Sequence, residues 1–119
     1  AAVDQVLAQR TAGGQRPLVF SIHTFTALYL GVPRTVELGV LFDEEAVRAE
    51  ALRHALAGAG FDARLNEPWS GKEGLIYSPD RHARAHRLPC LEVEVRNDLL
   101  GTPRAVESLA RLLAASLPQ

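Results

Sequence analysis

Methionine is absent from this 119-residue sequence, position 1 included. A chain opening on Ala1 without an initiator is expected to be trimmed, with the start of the gene product elsewhere. Cysteine occurs once, at Cys90. That excludes an intrachain disulfide framework and fits a reducing cytoplasm. Neither sign of charge is in excess: 13 Lys+Arg stand against 14 Asp+Glu, a net charge of -1. This balance argues against the broad basic footprint that DNA or RNA requires. No run approaches the ~18 apolar residues of a membrane span. The N-terminus also lacks the basic segment and apolar stretch of a secretory signal. A cytoplasmic protein that uses neither nucleic acid nor membrane is the expectation.

The composition is that of a folded domain, with 47% apolar and 23% charged residues. The length suits one compact domain over 1–119 and is too short for two. Residues 1–12 read as a helix carrying Val3, Val6 and Leu7 at helical spacing, stopped by Gly13-Gly14. The apolar run Leu18-Val19-Phe20-Ser21-Ile22 reads as a strand buried on both faces. Residues 27–34 read as a loop. Val36, Leu38, Val40 and Phe42 alternate as a second strand, and Asp43 is placed to cap a helix running to about residue 58. That helix is expected to bury Val47, Leu52, Ala55, Leu56 and Ala59, with Glu44 and Arg48 paired on its surface. A short strand over 61–65, an irregular stretch over 66–89 and a strand over 90–96 follow. Thr102-Pro103 opens a final helix, 103–116, with Val106, Leu109, Ala110 and Leu113 inward. Helices alternating with apolar strands predict an α/β fold: a layered sheet, parallel or mixed, with helices on both faces.

Several residues can carry chemistry, each with a structural reading beside the functional one. His23 follows a buried strand, where open α/β sheets bind ligands, and a neutral imidazole there can ligate zinc. A strand-end histidine bonded to backbone is the alternative. Glu92, Glu94 and Arg96 share one face of their strand opposite Leu91, Val93 and Val95. Three charges on one face are costly to bury unless paired or functional, and a buried carboxylate can act as a general base. A solvated edge strand explains the same pattern. Asn66-Glu67-Pro68-Trp69 can orient a polar small molecule or simply make a turn. His82 and His86 are four apart but crowded by Arg81, Arg84 and Arg87, which reads as a solvated basic face. Cys90 reads as a small apolar strand residue. Gly13-Gly14 follows a helix rather than a strand, so it is not a phosphate-binding loop.

Five segments together resemble the N-formylglutamate amidohydrolase family. They are Phe20-Ser21-Ile22-His23-Thr24-Phe25-Thr26, Gly31-Val32-Pro33-Arg34, Leu38-Gly39-Val40-Leu41-Phe42-Asp43, Asn66-Glu67-Pro68-Trp69-Ser70-Gly71, and the stretch from Leu88-Pro89-Cys90-Leu91-Glu92-Val93 to Glu94-Val95-Arg96-Asn97-Asp98-Leu99. Their order and spacing resemble the family's across essentially the whole chain. That family is similar to the zinc carboxypeptidases. The resemblance implies a zinc-carboxypeptidase-like α/β fold and a zinc-dependent hydrolase that cleaves an N-formyl or other N-acyl amino acid to formate and the free amino acid. The family name points to histidine breakdown. The resemblance further implies His23 as a metal ligand, Glu94 as the catalytic base, and Arg34, Asn66 and Arg96 as groups that help hold the substrate. The family's other zinc ligands, a histidine and a carboxylate, lie in an N-terminal half with no counterpart here; only Asp4 precedes His23. The chain is therefore expected to be a partial domain whose partner is that missing half, in the same or a separate chain. Two alternatives stand beside this reading: a non-catalytic α/β domain for binding or assembly, and a zinc peptidase with another substrate.

Overall fold

The computed structural model describes residues 2–14, 18–67 and 88–117. The elements run α1 (Ala2–Ala12), β1 (Val19–Phe25), β2 (Leu28–Tyr29), β3 (Val32–Pro33), β4 (Leu38–Leu41), α2 (Ala46–Gly58), β5 (Ala63–Leu65), β6 (Cys90–Arg96), a 3-10 turn (Asn97–Leu100) and α3 (Pro103–Ser116). Four strands form a mixed sheet in the order β1-β6-β4-β5. β1 runs parallel to β6, β6 antiparallel to β4, and β4 parallel to β5.

Side chains alternate across the sheet, so the register decides which residues share a face. Phe20 pairs with Leu91, and Leu38 and Val40 pair with Val95 and Val93. This face meets α2 and α3. Leu38, Val40, Leu52, Leu56, Leu91, Val93, Val95, Leu109 and Leu113 make one buried cluster there. On the opposite face, Leu7 of α1 packs with Leu88, Val19 and Cys90. Helices thus cover both faces, as the alternation predicts.

Several local expectations are corrected. β1 extends to Phe25 rather than ending near Ile22, because its parallel ladder with β6 continues to the Phe25–Arg96 pair. His23 therefore lies inside the strand, not past its end. Residues 28–33 form a hairpin, β2 with β3, whose turn residues Leu30 and Gly31 have φ of 50° and 79°. Asp43 does not cap α2. The Phe42 N–H is bound by the Asn66 side chain at 3.0 Å, and the chain bends before the helix opens at Ala46 behind Glu45. Finally, α2 buries Ala49, Leu52 and Leu56, while Val47 is 86% exposed. Val47 lies two residues before Ala49, roughly 200° around the helix, so both cannot face the sheet. In α3, Leu109 and Leu113 are buried but Val106 is half exposed. Arg48 meets Glu45 at 3.6 Å rather than pairing with Glu44. The strand over 90–96 and the last helix have the expected bounds, and the Thr102 hydroxyl accepts the Ala105 N–H at 3.1 Å as a helix cap.

Candidate active site

The face of the sheet opposite α2 and α3 carries the polar groups. The parallel register sets Ser21 beside Glu92 and His23 beside Glu94, and the antiparallel one sets Gly39 and Leu41 on the other side of Glu94 and Glu92. Glu92 and Glu94 are each only 2% exposed, which excludes the solvated edge strand as an explanation of their pattern. The His23 side chain, by contrast, is 55% exposed. Ser21 Oγ donates to Glu92 Oε1 at 3.0 Å, and His23 Nε2 lies 3.5 Å from the same oxygen. One donor atom from each of His23, Glu92 and Glu94 falls within 4.8 Å of the others. Imidazole nitrogen and carboxylate oxygen are zinc donors, and neighbouring ligands of a tetrahedral zinc stand roughly 3.3 Å apart. Donor type therefore suits a metal ion, and the three groups stand close enough together that they could hold one.

The three groups linked to substrate binding are placed differently. Arg96 Nη1 donates to the main-chain oxygens of Arg34 and Thr35 at 2.8 and 3.3 Å. Its Nε and Nη2 clasp Asp98 at 2.6 and 3.1 Å. Bonding to Arg96 holds the Asp98 carboxyl below its ordinary value, and Asp98 in turn raises the guanidinium. Arg34 lies over the Phe25 ring, 5.5 Å from its centroid, and its Nη1 donates to the Thr26 carbonyl at 3.4 Å. Arg34 and Arg96 thus meet at the end of the sheet where β1 and β6 finish. Asn66 stands at the other end of β4. Its N–H donates to the Val40 carbonyl at 2.9 Å, and its Oδ1 accepts the Phe42 N–H. Its φ of 52° is a left-handed conformation that asparagine tolerates better than most residues. Pro68, Trp69, His82 and His86 lie outside the described residues.

Ser21 is the member of the cluster that the sequence did not bring forward; Glu92 stood there beside Glu94 and Arg96 as a charge on one strand face, without a site role of its own. Glu92 carried a signal, since it alternates with Leu91 and Val93 in the same way as Glu94 does with Val93 and Val95. Ser21 carried none, because its partner is 71 positions away.

Comparison with known families matches residues 1–101 to the N-formylglutamate amidohydrolases. The chain belongs to that family. Among solved structures, gene product Atu2144 from Agrobacterium tumefaciens is similar, with 31% identity and a TM-score of 0.87. The match covers 98% of this chain and 46% of that one, so the chain spans less than half the length of this relative. No curated protein matches the chain. Family membership supports an amidohydrolase type of function, on a mixed four-stranded α/β sheet. Among the described residues, no helix is long and apolar enough to cross a membrane.

Proposed function

We propose that this chain carries part of the active site of a zinc-dependent amidohydrolase acting on N-formyl amino acids, with N-formyl-L-glutamate the leading substrate. The observation that carries this reading is the convergence of His23, Glu92 and Glu94 on one sheet face in a member of this family. His23 would hold the metal. Its remaining ligands would come from the half of the protein that this chain does not span. When bound, zinc supplies Lewis acidity to the amide carbonyl and to a water molecule.

Glu94 is the general base. Its carboxylate takes a proton from the attacking water and delivers it to the departing nitrogen, so that the C–N bond breaks and formate and the amino acid leave. Its burial keeps bulk water from competing for that proton. An arginine fork suits the substrate's carboxylate. The donors of Arg96 are engaged with Asp98 and two carbonyls, so Arg34 is the group proposed to meet that carboxylate, with Arg96 fixing the backbone that presents it. Asn66 braces the far end of β4 and β5. A cytoplasmic place in histidine breakdown accords with the chemistry.

The test is elemental analysis of the protein as purified, with the mass of every polypeptide present and the rate of formate release from N-formyl-L-glutamate. About one zinc per assembly, lost in His23→Ala together with formate release, is the expected result. Stable folding without metal and no activity in the complete protein would establish the binding-domain alternative. Zinc without formate release, but with cleavage of peptides, would establish the peptidase.

A further inference from the structure

We infer that Glu92 is a positioning residue for His23, held by Ser21, which engages the Nε2 side of the imidazole and presents Nδ1 to the metal. The inference rests on the proposed reading of His23 as a ligand.

Three observations carry it. Glu92 is buried in mid-sheet, and a buried carboxylate is costly unless it is satisfied. The same oxygen, Oε1, accepts the Ser21 hydroxyl at 3.0 Å and faces His23 Nε2 at 3.5 Å, so Ser21 fixes the oxygen that meets the ring. The ring is 55% exposed and Glu92 2%, so the imidazole and not the carboxylate reaches the accessible side. A metal that also takes ligands from elsewhere and keeps a position for substrate needs that accessible side. A neutral imidazole has one N–H and one lone-pair nitrogen. With Nε2 carrying the proton toward the carboxylate, Nδ1 is the nitrogen with a lone pair to offer. Such a carboxylate–histidine–metal arrangement fixes ring and tautomer and strengthens the ligand. Glu94 serves differently. It pairs laterally with His23 in the register and acts on substrate, whereas Glu92 sits two pairs back toward the start of β1, on the same face.

The experiment uses the complete protein, stripped of metal, as wild type, Glu92→Gln, Ser21→Ala and His23→Ala. Zinc affinity is measured by chelator competition, the visible spectrum of the Co²⁺ form reports the ligand set, and thermal unfolding of the metal-free forms reports the fold. Glu92→Gln is expected to weaken zinc binding about 10- to 100-fold, with the Co²⁺ spectrum retaining the wild-type coordination number. Ser21→Ala is expected to weaken it less, with unchanged metal-free unfolding. If Glu92→Gln does not fold, Ser21→Ala decides. Unaltered zinc affinity in the folded variants overturns the inference. So does a Co²⁺ spectrum showing the loss of an oxygen ligand, which would make Glu92 itself a ligand. Failure of the underlying reading looks different: His23→Ala would then bind zinc as tightly as wild type.

Discussion

Glu94 and Arg96 lie two positions apart on β6, on the same face of the strand, yet different consequences follow from changing them. In the proposed mechanism Glu94 handles the proton of the reaction, so Glu94→Gln is expected to lower kcat about 10²- to 10⁴-fold while zinc content stays at the wild-type level. Steady-state kinetics and metal analysis on one preparation check this; a variant of near wild-type kcat would remove Glu94 from catalysis. Arg96 works through geometry. Lysine keeps the charge but not the fork, so Arg96→Lys loses the two-point clasp of Asp98 together with the carbonyl contacts to Arg34 and Thr35. Its expected signature is a raised KM for the carboxylate-bearing substrate with a smaller change in kcat.

The acid pairs also set a pH dependence at this scale. Asp98 and Asp62 are held below an ordinary value of about 3.8, by hydrogen bonds from Arg96 and Arg64 respectively. A depressed carboxyl contributes stability that is complete above its unfolded pKa and is lost as pH falls through the lower folded value. Both carboxylates are substantially exposed, so solvent screens the effect and the contribution is small. Denaturant midpoints are expected to fall below about pH 4. In Asp98→Asn, that part of the fall should flatten.

Among the elements, the β2–β3 hairpin carries the clearest local conflict. Leu30 has a φ of 50° and is 86% exposed, so it takes a left-handed conformation without burial to offset it. Left-handed backbone costs a residue with a Cβ roughly 1 kcal/mol or more. Leu30→Gly is therefore expected to stabilise the fold by up to about 1 kcal/mol, read as a shift in the denaturant midpoint at unchanged slope. A loss of stability would show that the exposed leucine is packed in the assembled protein. Elements with strong local signals were legible in advance. The alternation over 90–96 defines β6, and Thr102-Pro103 marks the start of α3 through its cap and its N1 proline. The hairpin was not legible, since its strands are two residues each and show no alternation to read. The start of α2 was missed for a non-local reason: Asn66 reaches back to Phe42 and delays the helix past Asp43.

For the whole molecule, β1 is an edge strand among the described residues, with β6 on one side only. Ile22 on β1 and Leu28, Leu30 and Val32 on the adjoining hairpin are each more than half exposed. An open edge beside apolar side chains invites association. Expressed alone, the chain is expected to elute in sizing chromatography well above its 12.9 kDa and to become monodisperse when the rest of the protein is supplied. A monomer of that mass with cooperative unfolding would overturn the expectation that it needs its other half.

What this sequence determined by itself is whatever depends on near neighbours and on charge. It set the alternation that puts Glu92 and Glu94 opposite an apolar face, the Thr102 cap of the last helix and the absence of a disulfide framework, and its resemblance to a family pointed to His23 and Glu94. Tertiary structure alone decided that those two stand side by side. The pairing of β1 with β6 joins residues about seventy positions apart, and a shift of one residue in that register would have turned His23 to the apolar face. It also decided that Ser21 and His23 meet the same oxygen of Glu92 and that Arg96 grips backbone and Asp98. Burial and hydrogen-bond partners arise only when separate strands meet, and no local pattern encodes which strand will be the neighbour.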